Sequence, residues 1–535
     1  MPIKVIDLFA GPGGLGEGFS AYRHKDNQVF KIAISIEKEG SAHRTLKLRS
    51  FFRQYYPEQV PEAYYAFLRG ELGRNPEDEL YRISEIQDAL ENAKREAQQL
   101  TLGEDSQKTI NKKISDAIGK DECVLIGGPP CQAYSLVGRS RNYGAKNKQY
   151  SAKEDHRNFL YLEYLKIIAK FQPMIFVMEN VKGMLSAKVD GHPIFKSIRQ
   201  DLQDPFKTTK VSPEQGRDKH KYKIFSFVEK NQESDLSKAD ASLDPHDFII
   251  RMENHGLPQA RHRVILLGIR EDIVDKTNHP FERLKISEDK PTIKQVISDL
   301  PTLRSRLSKE KDSSDAWKKA IIGLDKKTLT QIRKDSHVTA DVYESFIQQL
   351  DRIKSSPSTT GADKGIKKNQ QLSNNLTAKL KDWYIDKRLG NHVINHEARG
   401  HIKGDLHRYL YYSTFAQVTG TSPKSTNLPK ALWPNHKNFN SGKFADRFRV
   451  QQADSQGTTV TCHISKDGHY FIHYDPNQCR SLTVREAARI QTFPDNYYFV
   501  GNRTQQYVQL GNAVPPYLAS QIADIVYSII IQTNQ

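Results

Sequence analysis

DLFAGPGGLG, residues Asp7 to Gly16, follows the apolar residues Ile3, Val5 and Ile6 and sets glycines at positions 11, 13 and 16. A buried strand that breaks into glycines at this spacing and runs on into a helix is the nucleotide turn of an open, mostly parallel α/β sheet. The fold class follows from that turn, but the ligand does not, because a hydride-carrying dinucleotide and other cofactors share the pattern.

Working outward, short apolar runs alternate with helical patterns: KIAISIE at 31–37, CVLIGG at 123–128, MIFVME at 174–179 and VILLGI at 264–269. Their order is that of a largely parallel sheet with covering helices. Tyr161, Tyr164, Leu165 and Ile168 share one helical face just before MIFVME. A polar helical insertion, with Leu80, Ile83, Ile86 and Leu90 in register, occupies residues 50–120. Beyond Ile269 the character changes. Residues 302–354 are lysine-rich and helical, with Val342, Phe346, Leu350 and Ile353 in one stripe, and 355–368 reads as a linker. Residues 383–475 mix aromatics, histidines and arginines with Pro, Gly and Asn, as in an irregular, loop-rich unit, and within them 445–476 alternates like strands.

A chain of 535 residues with a formal charge of +17 is long enough for two or three domains and attracts a polyanion. Nucleic acid fits better than an anionic membrane surface. Surplus lysine that merely keeps a large protein soluble is the plainer alternative. No apolar run approaches the roughly 20 residues that span a bilayer, and the chain enters its first strand without a signal-peptide pattern, so the expectation is a cytoplasmic protein. Cysteines 123, 131, 462 and 479 have neither disulfide-framework nor zinc-knuckle spacing. No metal is expected.

Three stretches carry the chemistry. In IGGPPCQAYS (126–135) two glycines and two prolines take the chain abruptly off a strand, which puts Cys131 at the carboxyl edge of the sheet, where ligands bind; filling a tight turn is its plainer role. In MENVKG (178–183) Glu179 ends an apolar strand, a place that suits proton donation to a ring nitrogen or, more plainly, capping the next helix. In GLPQARHRVILLG (256–268) Gln259, Arg261 and Arg263 precede a strand, and arginines two apart point to one side of extended backbone, able to grip an anionic or carbonyl-bearing substrate. A solvated basic edge is the alternative.

Taken in order, the glycine loop, Pro-Pro-Cys-Gln, Glu-Asn-Val, Gln-x-Arg-x-Arg, RSLTVREAARIQTFPD (480–495) and GNAVPP (511–516) resemble the DNA cytosine methyltransferases that modify carbon 5 of the base. The resemblance covers residues 1–50, 121–270 and 478–535. It implies a Rossmann-like catalytic domain over 1–270, completed by 496–535, a variable target-recognition region over 271–478, and a joint at 479–495. It implies S-adenosylmethionine in the glycine loop, held by Asp7, Phe9, Gly11, Gly13, Glu37 and Asn512. Glu17, just inside the helix start, would repel a pyrophosphate and so favours that cofactor over a dinucleotide.

By the same resemblance Cys131 is the nucleophile and Glu179 the proton donor, Arg261 and Arg263 hold the flipped base and its phosphate, and Gln132, Asn180 and Gln259 shape the pocket. Arg480, Arg485 and Glu486 organise the joint. The acidic residue expected after Glu37 could be Asp105, Asp116 or a neighbour. HEARGHIKGDLHRYL (396–410) is expected to touch DNA; its histidines, five apart, lack the spacing of a helical metal site. The implied partner is double-stranded DNA, methylated by a bacterial monomer within a restriction-modification system whose endonuclease would act separately. A transfer-RNA cytosine methyltransferase and an inactive DNA-binding homologue are the alternatives.

Overall fold

The computed structural model describes residues 1–55, 59–130, 156–189, 192–228, 244–277, 281–356, 360–361, 372, 375–435, 439 and 447–533. Its centre is an eight-stranded sheet. Five strands run parallel: β1 (Ile3–Leu8), β2 (Phe30–Glu37), β3 (Ala97–Gln99), β4 (Cys123–Gly127) and β5 (Ile175–Val181). The chain then adds β6 (Tyr222–Ser226), β7 (Ile249–Arg251) and β8 (His262–Arg270). β8 lies antiparallel to β5, β6 and β7. The order is β6-β8-β5-β4-β1-β2-β3, with β7 against β8. β1 and β4 are apolar runs buried on both faces, as central strands of a covered parallel sheet must be.

Helix α1 (Gly14–Ala21) follows the glycine loop and packs on the C-terminal helix α2 (Pro516–Gln532). A Cβ on Gly14 would lie 2.1 Å from Val514 O, and one on Gly18 2.3 Å from Ala519 Cβ. These glycines therefore let the two ends of the chain touch, which is why GNAVPP recurs so far from the loop it supports. The segment Arg503–Gln532 is long and apolar enough to cross a membrane by composition, but 67% of that window is buried inside the fold, as for a core helix.

Several expectations need correction. The block 50–120 is an insertion only as far as Glu96: Ala97–Gln99 is the edge strand β3 and Gln107–Ile118 covers the sheet. Leu80, Ile86 and Leu90 do join one core with Ile83 against it, yet they sit on three short helical pieces, 76–81, 84–86 and 87–96. β7 has only three residues, and in β6, YKIFS, Lys223 and Ser226 break the apolar run, so neither stands out in the sequence.

In the second half Val342, Phe346, Leu350 and Ile353 form the expected stripe, on helix Ala340–Ser355. The helical run starts at Ser314, after an extended stretch. These helices pack around Lys403–Thr419, a 17-residue helix inside the region read as loop-rich. Its low amphipathicity hid it: it is buried on most sides, so apolar and polar residues do not segregate. Among the described residues, 447–476 holds one two-residue strand and short 3-10 turns in place of the expected alternating strands.

The segment 396–410 is likewise not a basic surface. His396 bonds Thr483 Oγ1 at 2.9 Å and Pro301 O at 2.8 Å, His401 lies 3.4 Å from Ser481 Oγ, and Arg399 donates to Ile464 O and Lys466 O. Its polar groups are spent inside the fold.

Burial pushes the imidazoles of His396 and His473 down to about 4; His473 faces Arg480, Glu486, Asp475 and His396. In the unfolded chain both titrate near 6.5. Above about pH 6.5 neither state takes up these protons. As pH falls from there toward 4, the unfolded chain binds protons that the folded chain refuses, and stability falls. A Tm at pH 5 clearly below that at pH 7.5 is expected from thermal scans, and equal values would contradict this burial.

Candidate functional site

A cleft of about 660 Å³ opens at the carboxyl ends of the parallel strands. On one wall lie Phe9, Gly11 and Pro12 of the glycine loop with Glu37 at the end of β2; on the other lie Gly128, Pro129, Pro130, Glu179, Asn180 and Val181; Leu100–Leu102 and Val508, Gln509 and Asn512 complete it.

The loop bends sharply. Phe9 has φ 54°, Gly11 57° and Gly13 95°. A phenylalanine in the left-handed region is strained, and such strain concentrates at functional sites. Glu37 Oε2 accepts from Gly11 N at 2.8 Å and Oε1 from Glu39 N at 2.7 Å. Burial pushes this carboxyl up, with those backbone donors opposing. A carboxylate has about four acceptor sites, so these backbone donors do not exhaust Glu37, which lines the cleft.

Across the cleft, Arg263 Nε lies 2.9 Å from Glu179 Oε1, with both side chains 14% exposed. A Cβ on Gly128 would lie 2.9 Å from Glu179 Oε2 and would push this carboxylate from its present place. Asn180 Nδ2 donates to Pro129 O at 3.1 Å, and its Oδ1 accepts from Val181 N, so the side chain pins the Pro-Pro turn to β5. Cys131 and Gln132 lie outside the described residues.

The remaining site expectations divide. Phe9, Gly11, Glu37, Asn512, Glu179 and Asn180 meet in the cleft. Gly13 stands behind it as the left-handed cap of α1. Asp7 is also behind the wall: its carboxyl is 1% exposed and pushed up to about 8 by burial. Glu17 does not face a bound anion. It is 3% exposed and receives Arg49 Nε at 2.9 Å, so its charge is compensated in the interior and, contrary to the expectation from sequence, does not repel a pyrophosphate.

Arg261 and Gln259 require correction as substrate contacts. Arg261 is 1% exposed and donates to Val460 O at 2.7 Å, Ala513 O at 3.0 Å and Gly511 O at 3.2 Å. Gln259 is fully buried, donating to Ile490 O and Gln491 Oε1 and accepting from Val460 N. Both lie ahead of β8, and they tie the end segments of the chain together. Asp116 sits on the covering helix Gln107–Ile118, and Asp105 caps Thr101 N at 2.6 Å; neither lines the cleft, whereas their neighbour Glu104 does. Leu100, Leu102, Leu160 and Gln509 line it unannounced by the sequence; Gln509, three residues before Asn512 on one helix, had the only readable signal.

The lining fits a nucleoside with a cationic centre better than a dinucleotide. Among the described lining residues the carboxylates are Glu37, Glu39, Glu104 and Glu179, and the one cation, Lys38, pairs with Glu104 at 3.0 Å. A pyrophosphate would find no compensating arginine among the described lining residues.

A model of the C-5 cytosine-specific DNA methylases matches residues 86–205 and 244–528. The chain is 35% identical to the type II methyltransferase M.Bpa9945I of Bacillus paralicheniformis, across 98% of this chain and 99% of that one. It is 26% identical to the type II methyltransferase M.AgeI of Thalassovita gelatinovora, across 98% and 99%. A solved structure of a putative prophage-encoded DNA modification methyltransferase of E. coli shares the fold, with TM-score 0.50 and 19% identity over 99% of each chain.

Replacing Arg261 by Met strands three buried carbonyls, each worth about 1–3 kcal/mol. Arg261→Met is expected to lower Tm by several degrees, and Arg263→Met, which takes one partner from a partly exposed ion pair with Glu179 and leaves no backbone carbonyls of distant segments unpaired, is expected to lower it by clearly less. Equal shifts would refute the division of labour between the two arginines.

Proposed function

Because the chain belongs to the C-5 cytosine-specific DNA methylases, and is by that membership a DNA (cytosine-5-)-methyltransferase, we propose that Cys131 is its nucleophile, Glu179 its proton donor and the cleft beside Phe9 the seat of S-adenosylmethionine. The observation that carries this reading is the convergence of the Gly-Pro-Pro turn, Glu179 and the glycine loop on one cleft. Cys131 is the next residue after Pro130.

Cytosine is a weak nucleophile at carbon 5. Addition of the Cys131 thiolate to carbon 6 forms a C–S bond and drives the ring electrons toward carbon 5 and nitrogen 3, where Glu179 gives or shares a proton. Arg263, 2.9 Å from that carboxyl, holds it on the cleft wall, within reach of the base. S-adenosylmethionine, when bound, supplies an electrophilic methyl group for carbon 5. Transfer of the carbon 5 proton to water or another base then returns the electron pair that expels the thiolate, and nitrogen 3 gives its proton back to Glu179 as the aromatic ring is restored.

Glu37 would take the ribose hydroxyls on its free lone pairs, with Phe9, Gly11, Asn512 and the apolar Leu100 and Leu102 enclosing the rest of the cofactor. A cysteine beside a sheet edge cannot meet a base inside a duplex, so the target nucleotide flips out. The variable region 271–478 reads the target sequence, supported by the separate core formed between Leu307 and Cys479 and by the charge of the chain. One chain carries both cleft and recognition body, which supports a monomer. Its type II relatives support a modification role, with a restriction endonuclease acting separately.

Transfer of tritiated methyl from S-adenosylmethionine to plasmid DNA, followed by bisulfite sequencing, is expected to mark cytosines in one short word. Label confined to transfer RNA, or no label, would overturn the proposal. Glu179→Gln is expected to slow methylation by about 10²-fold or more while leaving DNA affinity within about threefold. Equal losses of rate and affinity would make Glu179 structural.

A further inference from the structure

The insertion Glu62–Glu96 has no part in the chemistry just described, yet its contacts are specific. Its helix Glu62–Leu68 presents Tyr65, whose hydroxyl donates to Asp386 Oδ2 at 2.7 Å. The same Asp386 oxygen accepts Asn496 Nδ2 at 2.6 Å, and Asp386 Oδ1 accepts Arg388 N. Arg388 stacks 4.4 Å over the Tyr65 ring and donates to Val60 O. Leu389 and Ile394 enter the apolar core of the insertion. Residues 386–396 thus leave the insertion and lead directly to Gly400–His401, which pairs with Arg306–Leu307 of the recognition body.

The other end of this network reaches the cofactor loop. Asn496 Oδ1 accepts Arg49 Nη1 at 2.9 Å, and Arg49 holds Glu17 in the first turn of α1. Tyr497 donates to Pro12 O in the glycine loop, and Arg49 lies 4.8 Å over the Tyr497 ring. Every link is a buried or half-buried polar contact, and a buried donor or acceptor that loses its partner is costly.

We infer that the insertion is a brace, with Tyr65 and Asp386 as positioning residues, that fixes the attachment of the recognition body to the cofactor loop and so couples cofactor binding to DNA binding. The inference rests on the methyltransferase reading above. By linkage, whatever factor DNA adds to cofactor affinity the cofactor adds to DNA affinity.

The test measures the dissociation constant of S-adenosylhomocysteine with and without a duplex carrying the mapped target word, for wild type, Tyr65→Phe, Asp386→Ala, the double variant and the exposed control Glu85→Ala. Expected is that DNA tightens cofactor binding at least fivefold in wild type and control, but less than twofold in the three node variants. Cofactor affinity without DNA should stay within twofold throughout. The double variant should lose no more coupling than either single one, because they break one node. Coupling retained in Tyr65→Phe, additive losses, or no tightening in wild type would overturn the brace. Failure of wild type to methylate any DNA would instead overturn the reading on which it rests.

Discussion

Four guanidinium groups sealed in the interior hold this molecule together. Arg261, Arg480, Arg485 and Arg489 are each 1% exposed or less. Burying a cation is costly unless most of its donors find partners, and removing one partner costs about 3–5 kcal/mol. Arg489 sits between Asp299 and Asp495, with bonds of 2.6–3.0 Å to each. Arg480 grips Glu486; burial opposes ionisation of that carboxyl, but the guanidinium outweighs it and holds it far below its ordinary range. Arg485 and Arg261 donate to backbone carbonyls at Ile394, Pro494, Tyr497, Val460, Gly511 and Ala513, and of the two only Arg261 keeps a buried donor, its Nε, without a partner among the described residues. Segments far apart in sequence can satisfy these groups only in one arrangement.

That arrangement sets the cleft. The helix Val484–Ile490 and the turn after it present Tyr497 to Pro12, so the glycine loop is fixed from behind by residues nearly 500 positions later. Gln259, anchored on Ile490 and Gln491, fixes the entry into β8, and two residues after Arg261 the chain delivers Arg263 to Glu179. The Pro-Pro turn is held to the same strand by Asn180. The two walls of the cleft are therefore both held from behind by buried or largely buried polar contacts.

Five of the eight strands, β1, β2, β4, β5 and β8, were legible because each carries an apolar run, and the cleft because Gly11, Glu37 and Glu179 end such runs or follow them. Spacing could not separate Arg261 from Arg263: both fit an alternating edge, and only the long-range carbonyls at 460, 511 and 513 show which one is buried. Composition misread 396–410 for a related reason, since histidine and arginine look the same in sequence whether they face water or the carbonyls of a joint. β3, three residues long, carried no pattern, and so the loop after it, which lines the cleft, was hidden within the insertion.

The central claim is covalent attack by Cys131 on a flipped cytosine, and a duplex with 5-fluorocytosine at the target position tests it most directly. Fluorine cannot leave carbon 5 as a cation, so after thiolate addition and methyl transfer the final elimination is blocked. Intact-mass analysis under denaturing conditions is predicted to show protein plus DNA strand plus one methyl group, with the modified peptide containing Cys131. Absence of that species from an enzyme that methylates ordinary cytosine, or its persistence in Cys131→Ala, would contradict the account.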